Sequence, residues 1–543
     1  MTIRTLADAA TPDTAVSATV CVVGAGVAGL IAAVRLASDP LVRVVVIESG
    51  TEGNPDPATE ALDAIENPSG NYLGNLRARR LGGTSSLWDG KLLPISRTDT
   101  TDRPWVDQQP WPFDVAELDR YTAEIEALMG VDSASYEEDV APLLDPAGFL
   151  PRNDPDFVQR WPKRPAPADL NTAHIVRDKI LSWPNIDVWL GATVSTFRFD
   201  SVTDRLESVV AINHNGQSLS VSADEFLITA GALESTRLML VADQHSGGAI
   251  SRTGDALGRY FNDHFGLNVA TVRPRDHRRA NDAFADRWTL GGSRHLHFEL
   301  RPDVQERGRI ASAYADFGVT LPETSALGRI RSAVDAAKQR RVGATAAGLS
   351  RSLPGIPDLV RTAWWRYGRK KKYWPTDAVV EVKVWIEQLP EWGNRLVLSD
   401  ATDSLGQPKL RCELTKTDVN EDTLRFTVER LRAFWDRHLT DTATLDWIPE
   451  VGDPKARLVD LAVELAHPAG ATRMGTDPST SVVDTSLRVH SMPNVSIASS
   501  SVFPSSGSAN PTLTIIGLAM RATDAITERL QSRRAVEQAK LGE

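Results

Sequence analysis

The segment Gly24-Ala25-Gly26-Val27-Ala28-Gly29 constrains this chain more than any other. Residues 18–23 before it form a β-branched run that reads as a buried strand, and residues 30–37 after it read as a helix. A second strand, over 42–47, ends at Glu48, 19 residues after Gly29. Strand, glycine turn, helix, strand and acid in this order are what a dinucleotide-binding βαβ unit requires. The glycines let the backbone approach a pyrophosphate, and the helix N-terminus offers unpaired N–H groups to its charge. A carboxylate at Glu48 takes both hydroxyls of an adenosine ribose and disfavours the 2′-phosphate of NADP. NAD and FAD both fit at this point.

The chain has 543 residues, enough for two or more domains or one large two-lobed unit. An apolar fraction of 41% with 24% charged residues is that of an ordinary globular protein. A net charge of −11 excludes nucleic acid as the main partner, since phosphates need a basic face. No run of about 18 apolar residues exists, so no transmembrane segment is expected. Residues 1–16 hold neither an apolar signal core nor a twin-Arg pair, so no secretion signal is expected. Cys21 and Cys412 cannot make a disulfide framework and form no C-x-x-C pair, which points to a reducing, cytoplasmic setting. The oligomeric state is left open.

A second loop, Arg79-Arg80-Leu81-Gly82-Gly83-Thr84-Ser85-Ser86-Leu87-Trp88-Asp89-Gly90, pairs two glycines with three hydroxyl residues. Its backbone can lie against a planar or phosphorylated ligand. With the first glycine turn, this loop resembles the glucose-methanol-choline (GMC) family of FAD oxidoreductases. Residues 227–238, 257–264, 467–475, 482–484 and 509–514 are similar to further segments of that family, in the same order, so the likeness spans 18–530.

The resemblance implies an α/β fold: an FAD-binding Rossmann-like domain with a discontinuous α+β substrate domain built on a mostly antiparallel sheet. The FAD-binding parts are expected at 17–104, 185–270 and 455–535, the last carrying the catalytic segment. A connection or lid runs over 105–184, and the substrate domain over 271–454. Alternation at His295–Leu300 and again over 380–388 supports strands with two unlike faces in that domain.

FAD is thereby expected against Gly24, Gly26, Val27, Ala28, Gly29 and Glu48. The second loop adds Arg80, Gly82, Gly83, Thr84, Ser85, Leu87, Trp88, Asp89 and Gly90. Val194 at the adenine, Ala230, Gly231, Ser501, Pro511 and Thr512 complete the set. Within the family the chain looks most like the pyranose-oxidase and glycoside-oxidising branch. Some members of that branch hold FAD covalently through a His just before the loop Trp. Leu87 occupies that position here, so non-covalent FAD is implied.

Oxidising an alcohol removes a proton from oxygen and a hydride from carbon, so a base must stand near the hydroxyl. Imidazole titrates near neutrality and suits that role. The resemblance carries it onto His467 and makes Asn510 its partner. An amide can hold the hydroxyl but cannot act as a base. Asn510 in place of a second His leans the substrate toward a pyranose or glycoside. Gln388 and His297 are expected on the substrate side. His295 and His297 share a strand face, but spacing offers no further ligand, so no metal is expected.

Residues 329–372 form an insertion with twelve Lys or Arg against two Asp, read as a solvated lid over the pocket, with an anionic membrane or partner as the rival reading. The expected activity is therefore FAD-dependent oxidation of a secondary or primary alcohol of a sugar or glycoside, with oxygen or a quinone-type acceptor taking the electrons. The alternatives are a dehydrogenase of a non-sugar alcohol, a non-redox lyase on the same fold, and another FAD class such as a monooxygenase or amine oxidase.

Overall fold

A computed structural model describes the chain except residues 1–2, 56, 64, 68–76, 201, 323–355, 465 and 542–543. Much of the basic insertion thus lies outside the described residues, which resume with the helix Ile356–Gly368.

The first glycine turn belongs to an 8-stranded sheet. Its order is Ile3–Thr5, Ile186–Leu190, Val44–Ile47, Asp13–Val23, Ser218–Ile228, Leu206–Ile212 and Thr193–Phe199, with Val495–Ile497 also paired to Ser218–Ile228. Pairing is parallel from Ile3–Thr5 through Ser218–Ile228 and on to Val495–Ile497, and antiparallel across the last two strands. Val44–Ile47 is buried at every position, as a parallel strand covered on both faces must be. The helix Val27–Leu36 packs one side of this sheet, itself covered by Thr512–Leu541 and Thr172–Ser182. Strand and helix both extend beyond the spans expected from sequence, to Asp13 and to Val27.

A 7-stranded sheet forms the second layer, antiparallel throughout. Its order is Ala443–Trp447, His264–Pro274, Val379–Glu387, Ala313–Thr320, His297–Leu300 and Phe157–Arg160, with Val463–Glu464 beside His264–Pro274. It begins at His264, ahead of the boundary expected at 270/271, and takes its edge strand Phe157–Arg160 from the connecting segment. The helix Asp418–His438 covers Ala313–Thr320 and Val379–Glu387. His297–Leu300 is buried at every position, not on one face as its alternation suggested. Its acidic residue is turned inward onto an ion pair, Glu299 with Arg160 at 3.1 Å.

The two sheets meet where Asn262 and Ala469 exchange backbone hydrogen bonds of 3.0 and 2.8 Å. That junction sets the second sheet's first residue, His264, beside the segment that carries His467.

Candidate active site

A cavity of ≈ 700 Å³ runs between the sheets, lined by both glycine loops and by His467 and Asn510. Its cradle starts at Gly24, where the chain turns with φ 105° and a Cβ would meet the backbone of Thr229 and Ala230 at 2.9 Å. Gly29 lies behind the lining: a Cβ there would stand 1.9 Å from the Gly24 carbonyl, so its absence lets helix and strand close up. Gly26, Val27 and Ala28 line the cavity at the helix start, which no side chain caps. Helix N–H groups left without partners favour an anion.

Glu48 is buried and faces the cavity, its carboxylate accepting the N–H groups of Ala25 (2.9 Å) and Gly50 (2.8 Å). Burial raises its pKa, against the pull of those two bonds. Val194 lines the same region, next to Thr193, whose hydroxyl meets Ser49 at 2.7 Å.

The second loop rests on the first. Gly82 donates to the Ala25 carbonyl at 2.9 Å, and a Cβ on Gly83 would come within 2.9 Å of Gly26 Cα. Gly83, Thr84, Ser85, Leu87, Trp88, Asp89 and Gly90 line the cavity. Gly82 stands behind them against Asn171, and Arg80 turns away to Asn54 at 2.9 Å. Ala230, Gly231, Pro511 and Thr512 bring two more helix starts to the cavity. Ser501 supports them from the interior, bonded to Ser499 and Thr472 at 2.6 Å.

These residues fit a dinucleotide such as FAD. The uncapped helix start, the two loops in contact at Gly83 and the buried carboxylate of Glu48 leave a continuous cradle that only small residues keep open.

At the chemical end, His467 is half-buried and its Nε2 lies 3.5 Å from the Asn510 amide nitrogen. Its backbone N–H donates to Asp263 Oδ1 at 2.8 Å, and its Nδ1 meets His264 Nδ1 at 3.0 Å. Burial holds the His467 pKa well below the ordinary histidine value, with His264 and Lys91 adding to the effect. Asn510 Oδ1 is buried with no hydrogen-bond partner among the described residues. The segment carrying Asn510 is fixed from below: Arg103 and Glu387, both wholly buried, pair at 2.7 and 2.8 Å, and Glu387 accepts the Gly507 N–H at 2.9 Å.

The opposite wall was not legible from sequence. Lys91 pairs with Asp316 at 2.7 Å, Trp385 donates to the same carboxylate at 2.8 Å, and His295 bridges Asp316 (3.1 Å) and Asp286 (2.6 Å). Arg164 holds Asp286 at 2.9 Å, and Lys372 and Trp374 reach the cavity from the end of the basic insertion. Burial opposes ionisation of Asp316 and Asp286, but Lys91 and His295 for the one, and Arg164 and His295 for the other, hold both well below the usual carboxylate range.

Two expectations change here. Spacing offered His295 and His297 no third ligand, yet the fold brings Asp316 from the neighbouring strand, with ligand atoms of the three within 4.8 Å. The Lys91 ammonium already sits on that Asp316 oxygen, so the cluster is charge-balanced by a lysine. Gln388 and His297 are also not in the cavity lining. Gln388 accepts the Asp263 N–H at 2.9 Å, and His297 stacks on Tyr314 at 4.0 Å behind the wall.

Comparison with known proteins places this geometry. Residues 390–519 match the family model for GMC oxidoreductase, and 19–72 that for an FAD binding domain. The fructose dehydrogenase large subunit of Gluconobacter japonicus is 29% identical over 60% of this chain and 52% of its own length. The 6'''-hydroxyparomomycin C oxidase of Streptomyces lividus is 36% identical over 27% of this chain and 25% of its own. Paromamine 6'-oxidase of Streptomyces fradiae is 34% identical over 19% and 23%. The matches thus span about half or less of these relatives. Among solved structures, Aspergillus oryzae formate oxidase superposes with a TM-score of 0.59 at 16% identity over 95% of this chain and 99% of its own. Pyridoxine 4-oxidase from Mesorbium loti gives 0.56 at 17% over 94% and 99%. At such identities the likeness is one of fold.

Proposed function

This chain belongs to the GMC oxidoreductases, and on that premise we propose that it oxidises an alcohol group of a sugar or glycoside to the carbonyl, using non-covalently bound FAD. The observation that carries the reading is the pairing of His467 Nε2 with the Asn510 amide, 3.5 Å apart, in the cavity that also holds Glu48 and the glycine turn.

Gly24, Gly26, Gly83 and Glu48 would hold the FAD, which when bound supplies the hydride acceptor. His467 accepts the hydroxyl proton at Nε2; with its pKa held below the ordinary range it is neutral at physiological pH and free to do so. Asn510 holds the same oxygen in place by donating an amide N–H to it, since its Nδ2 is the atom beside His467 Nε2. Lys91, Asp316 and His295 offer polar partners to further hydroxyls, while Trp385 and Tyr314 offer flat apolar faces. The relatives are named for fructose, 6'''-hydroxyparomomycin C and paromamine, which favours a sugar-type substrate over a simple alcohol.

Leu87 supports the non-covalent part: it lies on the cavity wall, and its hydrocarbon side chain forms no bond to flavin. Cys21 and Cys412, both buried free thiols, suit a reducing cytoplasm. Among the described residues no helix is long and apolar enough to cross a membrane.

The deciding experiment is anaerobic addition of D-fructose, paromamine, other sugars and simple alcohols to the holoenzyme, with flavin absorbance followed. Bleaching by a sugar is expected. Bleaching by simple alcohols alone would sink the sugar assignment, and no bleaching by any alcohol would favour a lyase. A peroxide assay beside a quinone-dye assay then names the acceptor. Acid precipitation should free all the FAD, and flavin left on the denatured chain would overturn the non-covalent assignment.

A further inference from the structure

His467 has a neighbour that the oxidation reading does not use. His264 opens the second sheet, is 1% exposed, and turns its Nδ1 to the His467 Nδ1 at 3.0 Å with the rings near perpendicular at 88°. Two lone pairs cannot face each other at that distance, so one ring donates. The choice decides which nitrogen of His467 is bare.

Suppose His264 donated. His467 would then carry its proton on Nε2, the nitrogen facing Asn510 and the cavity, and could accept nothing there. His264 Nε2 would be bare in the interior. The Asn510 amide nitrogen, however, can only donate, and it stands 3.5 Å from His467 Nε2. Two donors would then face each other at His467 Nε2. The reverse arrangement has no such conflict. His467 Nδ1–H donates to His264 Nδ1, and His467 Nε2 keeps its lone pair toward the Asn510 amide N–H.

We propose that His264 is a positioning residue: by accepting the Nδ1–H of His467 it sets the tautomer that leaves His467 Nε2 bare in the cavity. The pair is held rigidly for this task, because Asp263 Oδ1 accepts the backbone N–H of both, at 2.6 Å from His264 and 2.8 Å from His467. Burial pushes the His264 pKa down to about 4, so it stays a neutral acceptor while Glu387 acts weakly against that. The charged groups facing the pair are Asp263, Glu387 and Lys91. A second, neutral imidazole behind the base differs from the carboxylate that commonly orients a catalytic histidine. It fixes the tautomer without adding a negative charge.

The inference rests on His467 being the proton acceptor of the proposed oxidation, but its test does not. In holoenzyme labelled with ¹⁵N-histidine, two-bond ¹H–¹⁵N NMR reads the His467 tautomer, its signals assigned by their loss in His467→Gln. Wild type should show Nδ1 protonated and Nε2 bare. His264→Phe removes the acceptor and should shift His467 toward the Nε2–H form. Where D-fructose or paromamine bleaches the wild-type flavin, it should also slow reduction by about ten- to a hundredfold, part of the 10²–10⁴-fold a positioned base contributes. His264→Asn keeps an acceptor oxygen near the Nδ1 position and should restore both, even if the Phe variant folds poorly. An Nε2–H tautomer in wild type, or an unchanged tautomer in a folded, FAD-loaded His264→Phe, would overturn the proposal. A wild-type flavin that no sugar bleaches would count against the oxidation reading alone, since the tautomer is read without substrate.

Discussion

The backbone N–H of His467 donates to the Asp263 carboxylate at 2.8 Å, across 204 residues of chain. A base on a loop is thereby tied to the first turn of the antiparallel sheet and cannot drift independently of it. Asp263 is wholly buried, so losing its carboxylate leaves the N–H groups of His264 and His467 without their acceptor in the interior. Each such group costs about 1–3 kcal/mol. Asp263→Ala should therefore lower the melting temperature and the rate of flavin reduction together. Asp263→Asn, which retains an oxygen, should recover much of both. A melting curve and a stopped-flow trace for each variant check this.

His467→Ala should slow flavin reduction by about 10²–10⁴-fold, the usual share of general base catalysis. FAD should stay bound, because the cradle at Gly24, Glu48 and Gly83 is untouched. Wild-type reduction rates in the FAD-loaded variant would remove His467 from its role. Asn510→Ala should cost less and leave the acid limb of the pH–rate profile in place, since an amide does not titrate.

How much of this was legible in the sequence follows from what is local. The glycine turn, its flanking strands and Glu48 lie within one βαβ unit, where period and spacing carry the geometry. His467 and Asn510 were reachable only through the family likeness, because nothing local joins residues 43 apart in two loops. Lys91, Asp316, Asp286 and Lys372 were missed since only Asp316 lies on a strand of the second sheet, and the other three reach it from segments far apart in the chain. Gln388 shows the limit of reading a run of residues as a whole. Lys383 and Trp385 share the cavity face of their strand, and Gln388 is out of step with that period of two, so its amide serves Asp263 instead.

Stability should fall on the acid side. The His264 pKa is pushed down to about 4 by burial, below the ordinary 6.5, so the unfolded chain binds the proton more readily. The stability tied to its neutral form is full above about 6.5 and is lost as pH falls toward 4, worth about 3 kcal/mol. Glu234 acts in the same direction at lower pH: burial would raise its pKa, but Arg237 and Arg79 outweigh that and hold it at about 2, so its contribution fades between 4.5 and 2. Melting temperatures from pH 7.5 to 4 should decline, and His264→Asn should flatten the upper part of that slope. An equal slope in the variant would assign the loss to other groups.

Gly83 keeps φ at +55°, and a Cβ there would stand 2.9 Å from Gly26 Cα, backbone that cannot yield. Gly83→Ala should strain the loop by about 1–2 kcal/mol and lift it from the helix start it covers. The expected outcome is an FAD dissociation constant raised by about tenfold or more, with a smaller change in the melting point of the FAD-free protein. Gly53, where a Cβ meets nothing within 4 Å, is the matching control.

Lys91 offers the sharpest test of the electrostatics around the base. Its ammonium pairs with Asp316 at 2.7 Å and still acts on His467, adding to the burial that keeps the imidazole unprotonated. Removing that positive charge makes the imidazolium less unfavourable, so the His467 pKa rises. Since the neutral form is the base, Lys91→Met should move the acid limb of flavin reduction to higher pH. Asp316→Asn should do the reverse: Lys91 loses its counter-charge, its field at His467 grows, and the limb moves to lower pH. Opposite displacements of the two limbs, measured as reduction rate against pH with one sugar, are the expected result. A shift in the same direction for both would mean that the pair acts through packing and not through charge.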